Sequence, residues 1–238
     1  MPRRVGVALR EALSAKGRRS PTQDQKGRGA VLSPRRLRII SALTHYPGLG
    51  TSAIARVLGI EPHSAKWHLK ILEVHGLVSR LSSAREGFVV PGHLRKEDEG
   101  AIPILSNPVG RRLYLAVVDG QGMTTGELAA VTGLSRQRAA AVLAALVKEE
   151  LLYTLRDGRY TRYFQSEKGA KGAEEYIPHG LKFLDLLARR LGAMGAKVRV
   201  ARVSSASSIL VLRIGTLRTA AKIGVNPYVT ALREDNFL

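Results

Sequence analysis

Residues 62–76 read PHSAKWHLKILEVHG. Placed on a helix, Ala65, Leu69 and Leu72 share one apolar face, and His63, Ser64, Lys66, Trp67 and Lys70 fall on the opposite one. Donors, acceptors and a compact ammonium on one exposed surface suit contact with base edges and flanking phosphates. Trp67 is open to two readings: packing on a thymine methyl or sugar, or packing against protein as a boundary aromatic. His68 reads as a core-edge or phosphate-contacting histidine rather than a metal ligand.

A second stretch, RQRAAAVLAALVK, repeats the helical pattern with Ala139, Val142, Leu143 and Leu146 on one face. Its outward positions are Gln137, Arg138, Ala140, Ala141 and Ala144, with Arg136 beside them. Arg136 and Arg138 sit in the first turn, where a guanidinium reaches guanine or phosphate. The alanines cannot read bases by hydrogen bonds. That helix therefore either approaches DNA closely and reads little, or packs on protein. Two further groups of arginines sit on hairpins. Arg156, Arg159 and Arg162 flank the Asp157-Gly158 turn, and Arg80 and Arg85 lie in the earlier, longer hairpin. Arginine on such a hairpin is attracted to the minor groove, and is also a common solubility device.

The charge of the whole chain agrees with these groups. Its 238 residues carry 38 Lys plus Arg against 19 Asp plus Glu, a formal charge of +19 and a pI near 10.9. Arginine supplies most of the excess. Such a balance is the electrostatic footprint of a polyanion binder, with nucleic acid as the leading expectation. Cysteine is absent, which removes disulfides and thiolate metal sites. No apolar run approaches the roughly 18 residues of a membrane span. No phosphate-binding Gly-Lys-Ser loop, nucleophile elbow or His-Glu metal motif occurs, so no catalytic, metal-binding or cofactor-binding residue is expected and the chain reads as a non-enzyme.

The elements that position these residues come twice. At a spacing of 74 positions Pro34 falls on Pro108, Thr51 on Thr125, Ala55 on Ala129 and Gly59 on Gly133, while Leu69, Leu72 and Leu77 fall on Leu143, Leu146 and Leu151. Each copy begins with a helix, about Pro34 to His45 or Pro108 to Asp119. A break follows, then a short helix opened by a hydroxyl N-cap, Thr51 or Thr125. Gly59 or Gly133 makes a sharp turn into the third helix. A strand pair ends each copy: LLYTLRDGRYTRYF, whose Asp-Gly is a strong hairpin signal, and VSRLSSAREGFVV with a longer loop. Three helices followed by a β-hairpin make a winged helix-turn-helix. The expected fold class is α+β, mainly α, with two such domains in tandem and a C-terminal helix and β-hairpin module.

His68-Leu69-Lys70-Ile71-Leu72 and Gly76-Leu77-Val78 resemble the recognition segment of arsenic-repressor-type (ArsR) winged helices. The second copy, GLSRQRAAAVLAALVKEELL, is looser and is similar to winged helices in general, including the multiple-antibiotic-resistance type (MarR). The likeness covers about residues 33–91 and 107–166, and tandem units on one chain are similar to archaeal transcription regulators. It implies base contacts from His63, Ser64 and Lys66. The family's thiolate metal signal is missing here, and Glu61 stands where the family often has serine, at the start of the recognition helix, where it could cap.

The domain division expected is a basic N-terminal arm over 1–31, disordered by composition; a first winged helix over 32–91; a linker over 92–104, whose Glu97-Asp98-Glu99 cluster reads as a solvated turn; a second winged helix over 105–166; and a C-terminal module over 167–238. In the last, KVRVARV and ILVLRIG alternate like two strands, after a helix over about Leu181 to Leu191. This module could form a homodimer, bind an effector, or cover the second winged helix. Its arginines and lysines extend the basic surface. The sequence thus points to a double-stranded DNA-binding transcriptional regulator, cytoplasmic and nucleoid-associated, with no membrane partner. The rivals are an architectural protein that coats DNA with low specificity and a winged-helix protein-interaction scaffold.

Overall fold

The first helix begins at Pro34, whose fixed φ suits a first helical turn, behind Ser33, whose hydroxyl accepts the Arg36 amide at 3.4 Å. In this computed structural model, which describes residues 31–82 and 86–233, the first unit consists of α1 (Pro34–His45), α2 (Thr51–Leu58), α3 (Pro62–Val74) and a short strand pair, β1 (Ser79–Arg80) and β2 (Phe88–Val89). After a 3-10 turn over Lys96–Asp98 and a six-residue helix α4 (Ala101–Ser106) comes the second unit. It contains α5 (Pro108–Asp119), β3 (Met123–Thr124), α6 (Thr125–Thr132), α7 (Arg136–Lys148), β4 (Leu152–Asp157) and β5 (Tyr160–Gln165).

The helix boundaries of the two units coincide at the spacing of 74. Pro34–His45 maps onto Pro108–Asp119, Thr51–Leu58 onto Thr125–Thr132, and Pro62–Val74 onto Arg136–Lys148. Gly59 and Gly133 close α2 and α6 in the left-handed region, at φ 62° and 65°, where a side chain would be strained. The caps lie one residue earlier than the sequence suggested. Gly50, which has no side chain to cap with, precedes α2; Thr124 precedes α6 and forms a reciprocal capping box with Glu127. The second unit's sheet has three strands, ordered β3-β5-β4. In the first unit the backbone at Gly48 and Leu49 bonds Phe88 in the equivalent place without forming a regular strand.

Residues 167 onward form α8 (Glu167–Glu175), α9 (Ile177–Ala193), an antiparallel sheet β6 (Lys197–Val203), β7 (Ser207–Ile214), β8 (Leu217–Gly224), and the short α10 (Pro227–Thr230). The hairpin expected here is a three-stranded sheet. The third strand alternates too weakly to stand out, because Thr219 and Ala221 share its inner positions with Ile223.

Two apolar cores result. Leu37, Ile40, Leu43, Ile54, Leu69 and Leu72 of the first unit share one with Phe183, Leu187 and Leu191 of α9 and Leu210, Leu212 and Ile223 of the sheet. The C-terminal sheet therefore covers the first unit, not the second. Ser41 and Thr44 explain the contact: on the outer side of α1, their hydroxyls bond the backbone of β8, Ser41 to the Lys222 carbonyl and Thr44 to the Gly224 amide. The second core gathers Leu113, Val117, Leu128, Leu143 and Leu146 with Ile102 and Leu105 of α4, and Tyr176 and Tyr228 close it.

The segment expected to be a solvated linker is in part buried. Asp98 is 0% exposed and takes hydrogen bonds from Arg95 at 2.5 Å and Tyr228 at 2.7 Å. A lone carboxylate would not be buried; a guanidinium and a phenol compensate it. The apolar residues of α4 were too few, and interrupted by Pro103, to announce a helix. The basic arm expected over residues 1–31 lies outside the described residues except for Val31, which is buried in the first core. Among the described residues no helix is long and apolar enough to cross a membrane.

Candidate nucleic-acid interface

α3 rests on the core through Ala65, Leu69 and Leu72. That fixes the rotation of the helix and turns His63, Lys66 and Lys70 outward along one line, three and four residues apart. These three side chains form one wall of an open groove of about 620 Å³. Arg80 and Phe88 of the strand pair form another, and Thr51 and Ser52 at the start of α2 close one end. The groove is not purely basic. Glu73 and Glu86 also line it, and Glu73 accepts a hydrogen bond from Arg80 Nε at 3.3 Å, while the Arg80 guanidinium lies 5.2 Å from the centre of the Phe88 ring. Neither carboxylate was singled out in the sequence. Glu73 sits one turn beyond Lys70 on the same helix face, which was the available signal.

Other expected residues fall elsewhere. Trp67 is 52% exposed but turned one position around α3, away from the groove. It packs against α1, with the Arg36 guanidinium 5.0 Å from its ring and the His68 ring 4.8 Å away, edge to face. The ring's protein contact is thus with α1 rather than with the hairpin or the second unit, and about half of the side chain stays exposed. Ser64 is half-buried and does not line the groove. His68 is buried, and burial together with the charges of Arg36 and Arg35 holds its imidazole below the ordinary range. Glu61 occupies the N-cap position of α3 but makes no side-chain cap. Arg85 lies outside the described residues.

In the second unit Arg136, Gln137 and Arg138 are exposed together at the start of α7, behind the Ser135 cap, whose hydroxyl accepts the Arg138 amide at 3.3 Å. The Arg136 guanidinium lies close over Gly126 at the start of α6, and a side chain at 126 would displace it. Ala140, Ala141 and Ala144 are exposed, giving the smooth face the sequence indicated.

The β4–β5 hairpin projects into solvent. Arg156 and Arg159 are exposed, and Arg159 lies over the Tyr160 ring at 5.0 Å. Arg162 is different: it bonds Asp157 at 2.7 Å and the Gly122 carbonyl at 2.8 Å, so it braces the hairpin against the β3 approach. Among the described residues no group of histidines and carboxylates is arranged to hold a metal ion.

Residues 31–80, which span α1 to β1, match a family described as a helix-turn-helix domain. None of the curated proteins compared with the chain matches it. Two solved structures align with it. The DIP2311 protein from Corynebacterium diphtheriae aligns at 19% identity over 55% of this chain and 26% of its own, with a TM-score of 0.22. The chain thus spans about a quarter of the length of that protein. T. acidophilum IdeR aligns at 10% identity over 84% of this chain and 96% of its own, with a TM-score of 0.23. At such scores neither likeness bears on fold or function. The helix-turn-helix match lies on the segment that supplies α1, α2 and α3, and with them His63, Lys66 and Lys70 of the groove.

Proposed function

We propose that the chain is a double-stranded DNA-binding transcriptional regulator that presents two winged helices from one polypeptide, with α3 and α7 as the recognition helices. The observation that carries this reading is the coincidence of all three helix boundaries at a spacing of 74, with a left-handed glycine at the same place in both turns. On this reading His63, Lys66 and Lys70 enter the major groove, and Arg80 follows the backbone. The amides in the first turn of α2, which Gly50 leaves without a side-chain cap, face a phosphate. Arg136, Gln137 and Arg138 make the equivalent approach from α7, and Arg156 and Arg159 reach the backbone or minor groove. Two readers joined on one chain act as an internal pseudo-dimer, each raising the effective concentration of the other. The reading requires no catalytic group, cofactor or metal.

Selection of bound fragments from a random duplex pool tests this. Enrichment of discrete sites supports regulation; recovery of the pool without enrichment overturns it. Affinity for the selected site should fall by about three powers of ten or more between 50 and 200 mM salt if about six or more phosphates are contacted.

The exposed alanines of α7 favour a second reading, an architectural protein in which that helix touches the backbone and reads nothing. Even protection across unrelated duplexes in footprinting is its signature. A protein-interaction scaffold would show no duplex binding at low salt.

A further inference from the structure

The C-terminal sheet turns its inner face to α1 and α9 through Leu210, Leu212 and Ile223, and its outer face to solvent. Across that outer face Lys197, Arg213 and Arg218 stand directly opposite one another on β6, β7 and β8. All three are exposed, and with Arg199 they line an open groove of about 500 Å³ over the sheet. None of the four makes an ion pair among the described residues. The sequence contains no carboxylate between Asp185 and Glu234.

Like charges directly opposite on antiparallel strands oppose sheet formation. Arg213 is on the central strand with a cation on each side, so it cannot serve as an edge charge that discourages strand pairing. A row of this kind, with no carboxylate paired to it among the described residues, is what a polyanion would neutralise. Residues 197–224 contain no aromatic residue, so the face offers no platform for stacking unpaired bases. Three of the four cations are arginines, whose forked donors suit phosphate oxygens. A duplex backbone fits these features better than a single strand.

From this arrangement we infer that the outer face of the β6–β7–β8 sheet binds the phosphate backbone of a second DNA duplex, so that the protein bridges two segments. The inference rests on the reading of α3 as the recognition helix. α1 lies between β8 and the core side of α3, and the cationic row is on the far side of the sheet from α1. A straight duplex seated in the α3 groove cannot reach it. Contact at the sheet is to backbone alone, and so independent of sequence.

The test uses the full chain, a site-bearing duplex fixed to a surface, and a labelled duplex of unrelated sequence in solution. The wild-type protein captures the labelled duplex on the fixed one. The double variant Arg213→Gln/Arg218→Gln holds the fixed duplex with unchanged affinity but loses capture of the second. Its slope of log capture against log salt falls by about 1.8, from two phosphate contacts at about 0.9 each. Its melting temperature is unchanged or raised, since the substitutions relieve like-charge repulsion; if it is lowered, Lys197→Gln, at the end of an outer strand, gives the same readout. The Lys66→Ala variant does the reverse, losing site preference while still capturing unrelated duplex. Capture by Arg213→Gln/Arg218→Gln equal to wild type overturns the inference and leaves the recognition reading standing. Loss of capture in a protein that shows no site preference overturns the recognition reading and leaves the sheet surface standing. Wild-type preference at the sheet for single-stranded RNA, or for vesicles of anionic lipid over duplex DNA at equal salt, also overturns the inference.

Discussion

Tyr228 donates its hydroxyl hydrogen to the carboxylate of Asp98, 2.7 Å away and 130 residues earlier in the chain. The bond closes a buried group in which Arg95 pairs with the same carboxylate and lies 5.0 Å from the Tyr176 ring. The segment between the two helical units is thereby fastened to the C-terminal helices. Tyr228→Phe should lower unfolding free energy by about 1–3 kcal/mol, the usual cost of leaving a buried polar group short of a partner. Asp98→Ala should cost more, about 2–3 kcal/mol, since it leaves the buried Tyr228 hydroxyl without its acceptor and takes the nearer partner from Arg95, which is partly exposed and keeps Glu97 at 3.5 Å. Urea unfolding of both variants measures the difference, and equal small effects would show that the segment is not fastened there.

Two glycines separate backbone strain from close approach. A methyl group at Gly59 would meet open space, so Gly59→Ala should cost only the left-handed backbone penalty, about 1–2 kcal/mol. At Gly224 the same methyl would strike the Thr44 carbonyl and push β8 off α1. Gly224→Ala should cost about 3 kcal/mol, near the upper end for overpacking. It should also weaken the Thr44 bond to the Gly224 amide, visible as faster hydrogen exchange at that amide.

Histidine burial gives the fold an acid limit. Burial holds His45 down to about 4, against the raising effect of its bond to the Ser41 carbonyl and with a small lowering from Lys222. Burial also holds His93 down to about 3, helped by the neighbouring His45 and His179. Unfolded histidine titrates near 6.5, so below that pH the unfolded chain binds protons the folded chain refuses. Stability is therefore complete above about pH 6.5 and falls as pH drops toward 4. For two such groups the slope reaches about 2.7 kcal/mol per pH unit. His93→Leu, placed against Phe183, should roughly halve that slope in urea unfolding between pH 6 and 4.5. An unchanged slope would mean that other groups set the acid limit.

The two helical units were legible because each rests on strong local signals: apolar residues at helical spacing, a proline or hydroxyl near a helix start, and a glycine after its end. The Asp157-Gly158 turn announced its hairpin for the same reason. What stayed hidden depends on contacts distant in sequence. Ser41 and Thr44 look like ordinary helix residues until β8 lies against them, and Asp98 looks solvated until Tyr228 arrives. The groove was legible in part. Helical spacing placed His63, Lys66 and Lys70 together, but it gave Trp67 the same face, although one residue is about 100° of rotation. It could not place Glu86, which enters the groove from the strand pair.

Lys66 lines the α3 groove, while Arg138 stands at the start of a helix whose remaining outward face is alanine. Lys66→Ala and Arg138→Ala should each weaken duplex binding, with a loss of about 0.9 in the slope of log affinity against log salt for each phosphate contact removed. Lys66→Ala should reduce the ratio of affinities for selected and scrambled duplexes more than Arg138→Ala does. Titrations against both duplexes at several salt concentrations give the ratio and the slope together. Negligible effects of both substitutions would remove α3 and α7 from the interface.

Glu73 makes the opposite prediction. Its carboxylate faces the same groove as Lys66 and Lys70 and engages Arg80 at 3.3 Å. Both groups are substantially exposed, so the pair adds little to stability. Its larger effect is on binding: it places a negative charge near the duplex path and occupies the arginine best placed to follow the backbone. Glu73→Gln keeps the shape of the side chain, removes the charge and releases Arg80. Affinity for unrelated duplexes should rise, and the salt slope should steepen by about 0.9 as Arg80 gains a phosphate. Preference for the selected site should fall, because the gain is to backbone and is shared by every sequence. A variant that binds unrelated duplex more weakly than wild type would show that the carboxylate supports the interface, and would place the backbone path on the other side of α3.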